Sequence, residues 1–165
     1  MADGVAGRAI LKGMRAKALQ PTATHLYDLD FFEWTVRNAE LLRAGRFQDA
    51  DIERIAEELE DMGKHERREL FSRTRVLLTH LLKWQIQPER QSRSWRVTIS
   101  TQRQDLEEVL EEMPSLRGPL SDNLPRIYRR AAANATEGMG LFRTPFPETC
   151  PFTQEQILDT AFFPE

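Results

Sequence analysis

One cysteine among 165 residues, Cys150, leaves no partner for an internal disulfide and too few thiolates for a zinc site. That scarcity suits a reducing compartment, and a cytoplasmic location is the expectation. Cys150 stands between Thr149 and Pro151 with no cation beside it, so nothing local lowers its thiol pKa and it reads as structural. No apolar run approaches the ~20 residues that cross a bilayer. The longest, residues 76–82 (VLLTHLL), is interrupted by Thr79 and His80. The N-terminus lacks the continuous apolar core of an export signal, and no membrane partner is expected. Neither a glycine-rich phosphate loop nor a nucleophile elbow occurs, and no cofactor is expected. Strand-like alternation, internal repeats and low-complexity runs are missing too.

What is present is an ordinary globular composition, 40% hydrophobic and 30% charged, in a chain the length of one domain. Residues 1–23 carry Arg8, Lys12, Arg15 and Lys17 against Asp3, and read as a loose basic tail. Residues 24–165 read as a single helical domain. The net charge of −3 conceals a division. Residues 24–63 hold 11 acidic and 4 basic residues, a balance of −7, and residues 64–103 hold 10 basic and 3 acidic, a balance of +7. Opposite blocks of equal length are expected to pack side by side, which sets orientation more than it adds stability.

Helical punctuation dominates. Asp30, with Glu33 three residues on, caps a helix bearing Phe31, Trp34, Asn38, Leu41 and Leu42, and Gly45 ends it. Asp51 caps the next, with Ile52, Ile55, Leu59 and Met62 as its apolar stripe. Glu66, Leu70, Thr74, Leu77, Leu81 and Trp84 continue that stripe, which predicts one long helix over 51–86, bent near Gly63; two helices divided there are the alternative. Pro88 ends it. Ser92 or Ser94 caps a further helix with the stripe Trp95, Ile99, Gln102, Leu106, Val109, Leu110 and Met113, stopped by Pro114. Residues 115–135 carry Leu116, Leu120, Leu124, Ile127, Tyr128 and Ala131, divided by Pro119 and Pro125, the latter placed to open a helix. A proline-pinned strap, residues 144–152, precedes a short final helix capped by Thr153 and Gln156. The expected fold is all-α: a helical bundle around a long antiparallel helical hairpin, with a proline-pinned C-terminal strap and a short last helix.

The segments YDLDFFEWTVRNAELLRAGRF (27–47), DIERIAEELEDMGKHERREL (51–70), LLTHLLKWQIQPERQSRSWRVTI (77–99) and FPETCPFTQEQILD (146–159) resemble the bacterial family called domain of unknown function 29. The resemblance runs from Tyr27 to the C-terminus. It implies a small, helical, cytoplasmic bacterial protein and supplies no activity, cofactor or partner.

Four groups of side chains carry candidate chemistry. Glu58, Asp61 and His65 follow the i, i+3, i+7 spacing of carboxylate–histidine metal ligands. At ~100° per residue they project roughly 115° from the Ile52/Leu59 stripe, so solvated helix charge is the expectation and no metal is favoured. His80, flanking the leucine stripe, reads as a half-buried, hydrogen-bonded histidine; a general base needs a nearby nucleophile or carboxylate. Lys83, Trp84, Arg90, Arg93, Trp95 and Arg96 combine cations and indoles as anion or nucleic-acid surfaces do. Both tryptophans lie on apolar stripes, however, and are expected to clamp the hairpin. Phe142, Phe146, Phe152, Phe162 and Phe163 are expected to staple the C-terminal segment over the core. The leading expectation is a helical domain acting through contact with an unidentified protein partner, without catalysis of its own. A nucleic-acid-associated protein using residues 83–103 is second. A metal-dependent enzyme using Glu58, Asp61, His65 or His80 is third. Oligomeric state is not specified by the sequence.

Overall fold

The computed structural model describes residues 23–165; the basic tail lies outside the described residues except for Ala23, where the first helix begins. No strand occurs among the described residues, and the order is α1 (Ala23–Leu29), α2 (Phe31–Arg43), α3 (Ile52–Ile86), α4 (Arg93–Glu112), α5 (Arg117–Gly138) and α6 (Gln154–Leu158). Single 3-10 turns at Pro88–Arg90 and Pro114–Leu116 separate α3 from α4 and α4 from α5. The described residues form two compact units, one ending at Leu59 and the other running from Glu60 to Glu165.

In the first unit, α1 was not anticipated. Its residues ATHLYDL are weak helix formers, and seven residues do not hold a helix unaided. Packing supplies the rest. Leu26 is buried, and the Tyr27 ring meets Phe31 and Trp34 edge-on at 5.5 and 5.1 Å. Asp30 caps α2 as expected, accepting from the Glu33 N–H at 3.0 Å. Trp34, Asn38 and Leu41 form the buried face of α2. Asn38 earns its place by satisfying both ends of its amide, donating to Trp34 O at 2.9 Å and accepting from Asp51 N–H at 2.8 Å. The Asp51 carboxylate accepts from the Trp34 indole at 3.4 Å. Gly45, at φ 71, ends α2 in a Schellman arrangement, with Arg46 N–H on Leu41 O and Gly45 N–H on Leu42 O.

α3 is one continuous helix of 35 residues, the preferred reading over a division at Gly63. Within the second unit, α4 folds back antiparallel to it. Gln91 Nε2 donates to Trp84 O at the turn, and Arg73 pairs with Asp105 farther along. α5 then runs parallel to α3: Thr79 Oγ1 reaches Ala131 O at 3.4 Å, and Lys83 abuts Gly138. Ala131 and Ala135 are fully buried, and their small side chains permit this close approach. Because α3 lies between two helices, its buried face is wider than the single stripe read from the sequence. Leu78 and Leu82 are as buried as Leu70, Leu77 and Leu81; each fully buried leucine contributes roughly 1.5–3 kcal/mol.

Three expectations need correction. Ile52, Leu59 and Met62, the expected apolar stripe at the start of α3, are exposed. Pro125 neither opens nor divides a helix but sits inside α5, where its missing N–H removes the bond to Ser121 O; both residues are exposed. On α4 the inward residue is Arg103 rather than Gln102.

Candidate functional site

The strap is fastened from inside the second unit. Arg103, on the α4 face that also buries Ile99, Leu106 and Leu110, is 1% exposed. Its Nε donates to Ile157 O at 2.9 Å and its Nη2 to Phe162 O at 2.8 Å. The guanidinium carbon lies 5.5 Å from the Phe163 ring centroid. Burial pushes the Arg103 pKa down, and the charge of Asp159 opposes that shift. From α5, Tyr128 donates to Pro147 O at 2.7 Å. Phe146, Phe152 and Ile157 are buried, and the Thr153–Gln156 capping box starts α6. The staple reading therefore describes four of the five phenylalanines; Phe142 is fully exposed. Burial raises the Cys150 thiol pKa, in line with a structural role.

This packing covers part of the expected basic surface. Trp84 is buried, with Phe163 at 5.0 Å and the Arg96 guanidinium over its ring at 5.4 Å. Its aromatic neighbour is the C-terminal phenylalanine, not Trp95, which is half-buried on α4. Lys83 lies against Gly138, so close that a Cβ there would stand 2.4 Å from Nζ. Arg103 is core. Arg90, Arg93 and Arg96 stand exposed, but the Trp84 indole, which base stacking would need, is covered.

Nor do the other candidates assemble. Glu58 accepts the Tyr27 hydroxyl, whose pKa that hydrogen bond raises. Asp61 is held by Lys64, which lowers its pKa, and His65 is exposed. Among the described residues no three His, Cys, Asp or Glu side chains converge as a metal site. His80 Nδ1 is hydrogen-bonded with Val76 O of its own helix at 2.9 Å.

A different cluster does converge. Where α3 and α5 run parallel, Arg68, Phe71, Ser72 and Arg75 of α3 and Arg126, Ile127 and Arg130 of α5 line a cleft of about 210 Å³. Three of the arginines are exposed and Arg75 is half-buried. Among the described residues none of the four makes an ion pair. Arg75 Nη2 donates to Ser72 Oγ at 3.2 Å, and the Arg126 guanidinium lies 6.0 Å from the Phe71 centroid. Sequence reasoning missed this cluster because Arg68 and Arg75, two helical turns apart, and Arg126 and Arg130, one turn apart, each look like ordinary solvated charge. Only the parallel placement of α5 combines them.

Fold and surfaces together define an all-helical protein with a strap-locked hairpin unit, an acidic N-terminal unit and an arginine-lined cleft. No described helix is long and apolar enough to cross a membrane. The chain belongs to the family described as Domain of unknown function DUF29, whose model matches residues 26–163. No curated protein and no solved structure matches it.

Proposed function

We propose that this protein is a binding module that takes a basic, amphipathic helix of another protein on its acidic N-terminal unit. One observation carries the reading: that unit leaves large apolar side chains in solvent, with Leu29 72%, Phe32 75%, Phe47 60% and Leu59 63% exposed. Ile52, one heptad before Leu59 on α3, is exposed with it. Scattered exposed leucines are unremarkable, but so many within residues 29–59 signal an interaction surface. Charge selects the occupant. Residues 24–59 hold nine acidic and four basic residues, a balance of −5. A second copy would set like charge against like, whereas a lysine- or arginine-flanked helix is attracted and steered.

The test uses the full chain and a Phe32→Asp/Leu59→Asp double variant that retains wild-type helicity. A synthetic basic amphipathic helix, labelled with a fluorophore, is expected to bind the wild type and to lose at least about tenfold affinity on the variant. Equal binding by both proteins refutes the reading. A sedimentation dimer that the variant abolishes would assign the surface to a second copy instead. Tighter peptide binding after removal of residues 1–22 would assign it to the chain's own N-terminal segment.

A further inference from the structure

We propose that the cleft between α3 and α5 binds a small molecule bearing two or more phosphoryl charges. The inference rests on the second unit alone and is independent of the N-terminal docking surface. Arg68, Arg75, Arg126 and Arg130 converge on one recess without a carboxylate in ion-pair contact among the described residues. Arg46, by contrast, pairs with Asp49, Arg73 with Glu69 and Asp105, and Arg103 with backbone carbonyls. Four uncompensated cations in one cleft are most simply held for a polyvalent anion, and guanidinium forks match phosphoryl oxygens in pairs. The charge of two phosphoryl groups balances this cluster far better than one carboxylate does. Ser72 accepts from Arg75, which leaves its hydroxyl proton to donate into the cleft.

Shape decides between a small ligand and a macromolecule. About 210 Å³ is below the ~300–1,000 Å³ of drug-sized sites, so a compact ligand fits. The charges gather around a recess that Phe71 and Ile127 also line, not along a ridge that would track a nucleic-acid backbone. Phe71 offers an apolar face for whatever carries the phosphates.

Calorimetric titration of the full chain with inorganic pyrophosphate and with adenosine diphosphate, at about 50 mM salt where screening is modest, tests the assignment. Saturable binding of at least one probe is expected, weakened about tenfold or more in Arg126→Gln/Arg130→Gln and in Arg75→Gln. The control Arg90→Gln/Arg93→Gln, at the exposed turn, should stay within about twofold of wild type. Tighter binding of the nucleotide shows that its organic part is seated; equal binding shows that the phosphoryl groups alone are read. Absence of heat with either probe at about 1 mM, or equal weakening in the control, overturns the proposal. Binding of duplex DNA or polyglutamate through the same arginines, without binding of either probe, overturns it as well. Retained circular dichroism in each variant, whose substitutions lie outside the buried core, separates lost binding from lost fold.

Discussion

Removing Arg103 should release the C-terminal strap, and the size of the effect can be worked from its contacts. Two good hydrogen bonds end on Ile157 O and Phe162 O. Each carbonyl left buried without a donor costs about 1–3 kcal/mol. Against that, Arg103 Nη1 is itself buried without a partner, and taking the guanidinium out of the core recovers part of its desolvation. The balance is a loss of roughly 3 kcal/mol for Arg103→Ala, or about 6–12 °C in Tm for a chain of this length. Arg103→Met separates the two contributions, since it fills the volume but donates nothing. If the guanidinium fork holds the strap, Arg103→Met loses about 2 kcal/mol or more, and amides of residues 154–163 exchange faster than those of α3. Thermal melts followed at 222 nm, with hydrogen exchange by mass spectrometry, read both effects. An Arg103→Met protein within about 0.5 kcal/mol of wild type would refute the reasoning, because packing rather than hydrogen bonding would then be holding the segment.

Asn38→Leu should cost about 2 kcal/mol in urea titrations, since it orphans Asp51 N–H and leaves a buried amide site without donors or acceptors; a neutral result would show that water replaces the side chain. Two glycines should behave oppositely. Gly138→Ala meets only the mobile end of Lys83 and should stay within about 0.5 kcal/mol of wild type, whereas Gly140→Ala, at φ 70, should lose about 1 kcal/mol or more. Burial raises the Cys150 pKa, so above about pH 8.5 the unfolded chain gives up a proton that the folded chain keeps. Stability present below that pH should therefore fall as pH rises through the folded value, and Cys150→Ser should flatten this slope above about pH 8.5. Tm values measured across that window decide, and an unchanged slope in Cys150→Ser would remove the thiol from the account.

Much of the second unit was legible because local rules and packing agree there. Pro88 stops one helix, Ser92 starts the next, Thr153 and Gln156 close a capping box, and the leucines of α3 recur at helical spacing. Helix boundaries of this kind are set by groups within a few residues of each other, so a linear reading finds them. The start of α3 misled for the converse reason. Ile52, Ile55, Leu59 and Met62 have the spacing of a core face, but spacing states only which residues share a side and not what covers it. Arg103 misled for another. A long basic side chain counts as surface charge until three backbone carbonyls, more than fifty residues away in sequence, are brought to its donors.

The amino-acid order alone determined that this chain is helical, where its helices turn, and that charge of opposite sign occupies successive blocks. Tertiary structure decided which cations are spent and which are free. It turned Arg103 inward on the strap, laid Arg96 over the Trp84 ring, tucked Lys83 against α5, and gathered Arg68, Arg75, Arg126 and Arg130 around an open recess. The physical reason is that hydrogen-bond geometry and desolvation depend on neighbours in space, and those neighbours come from a different helix.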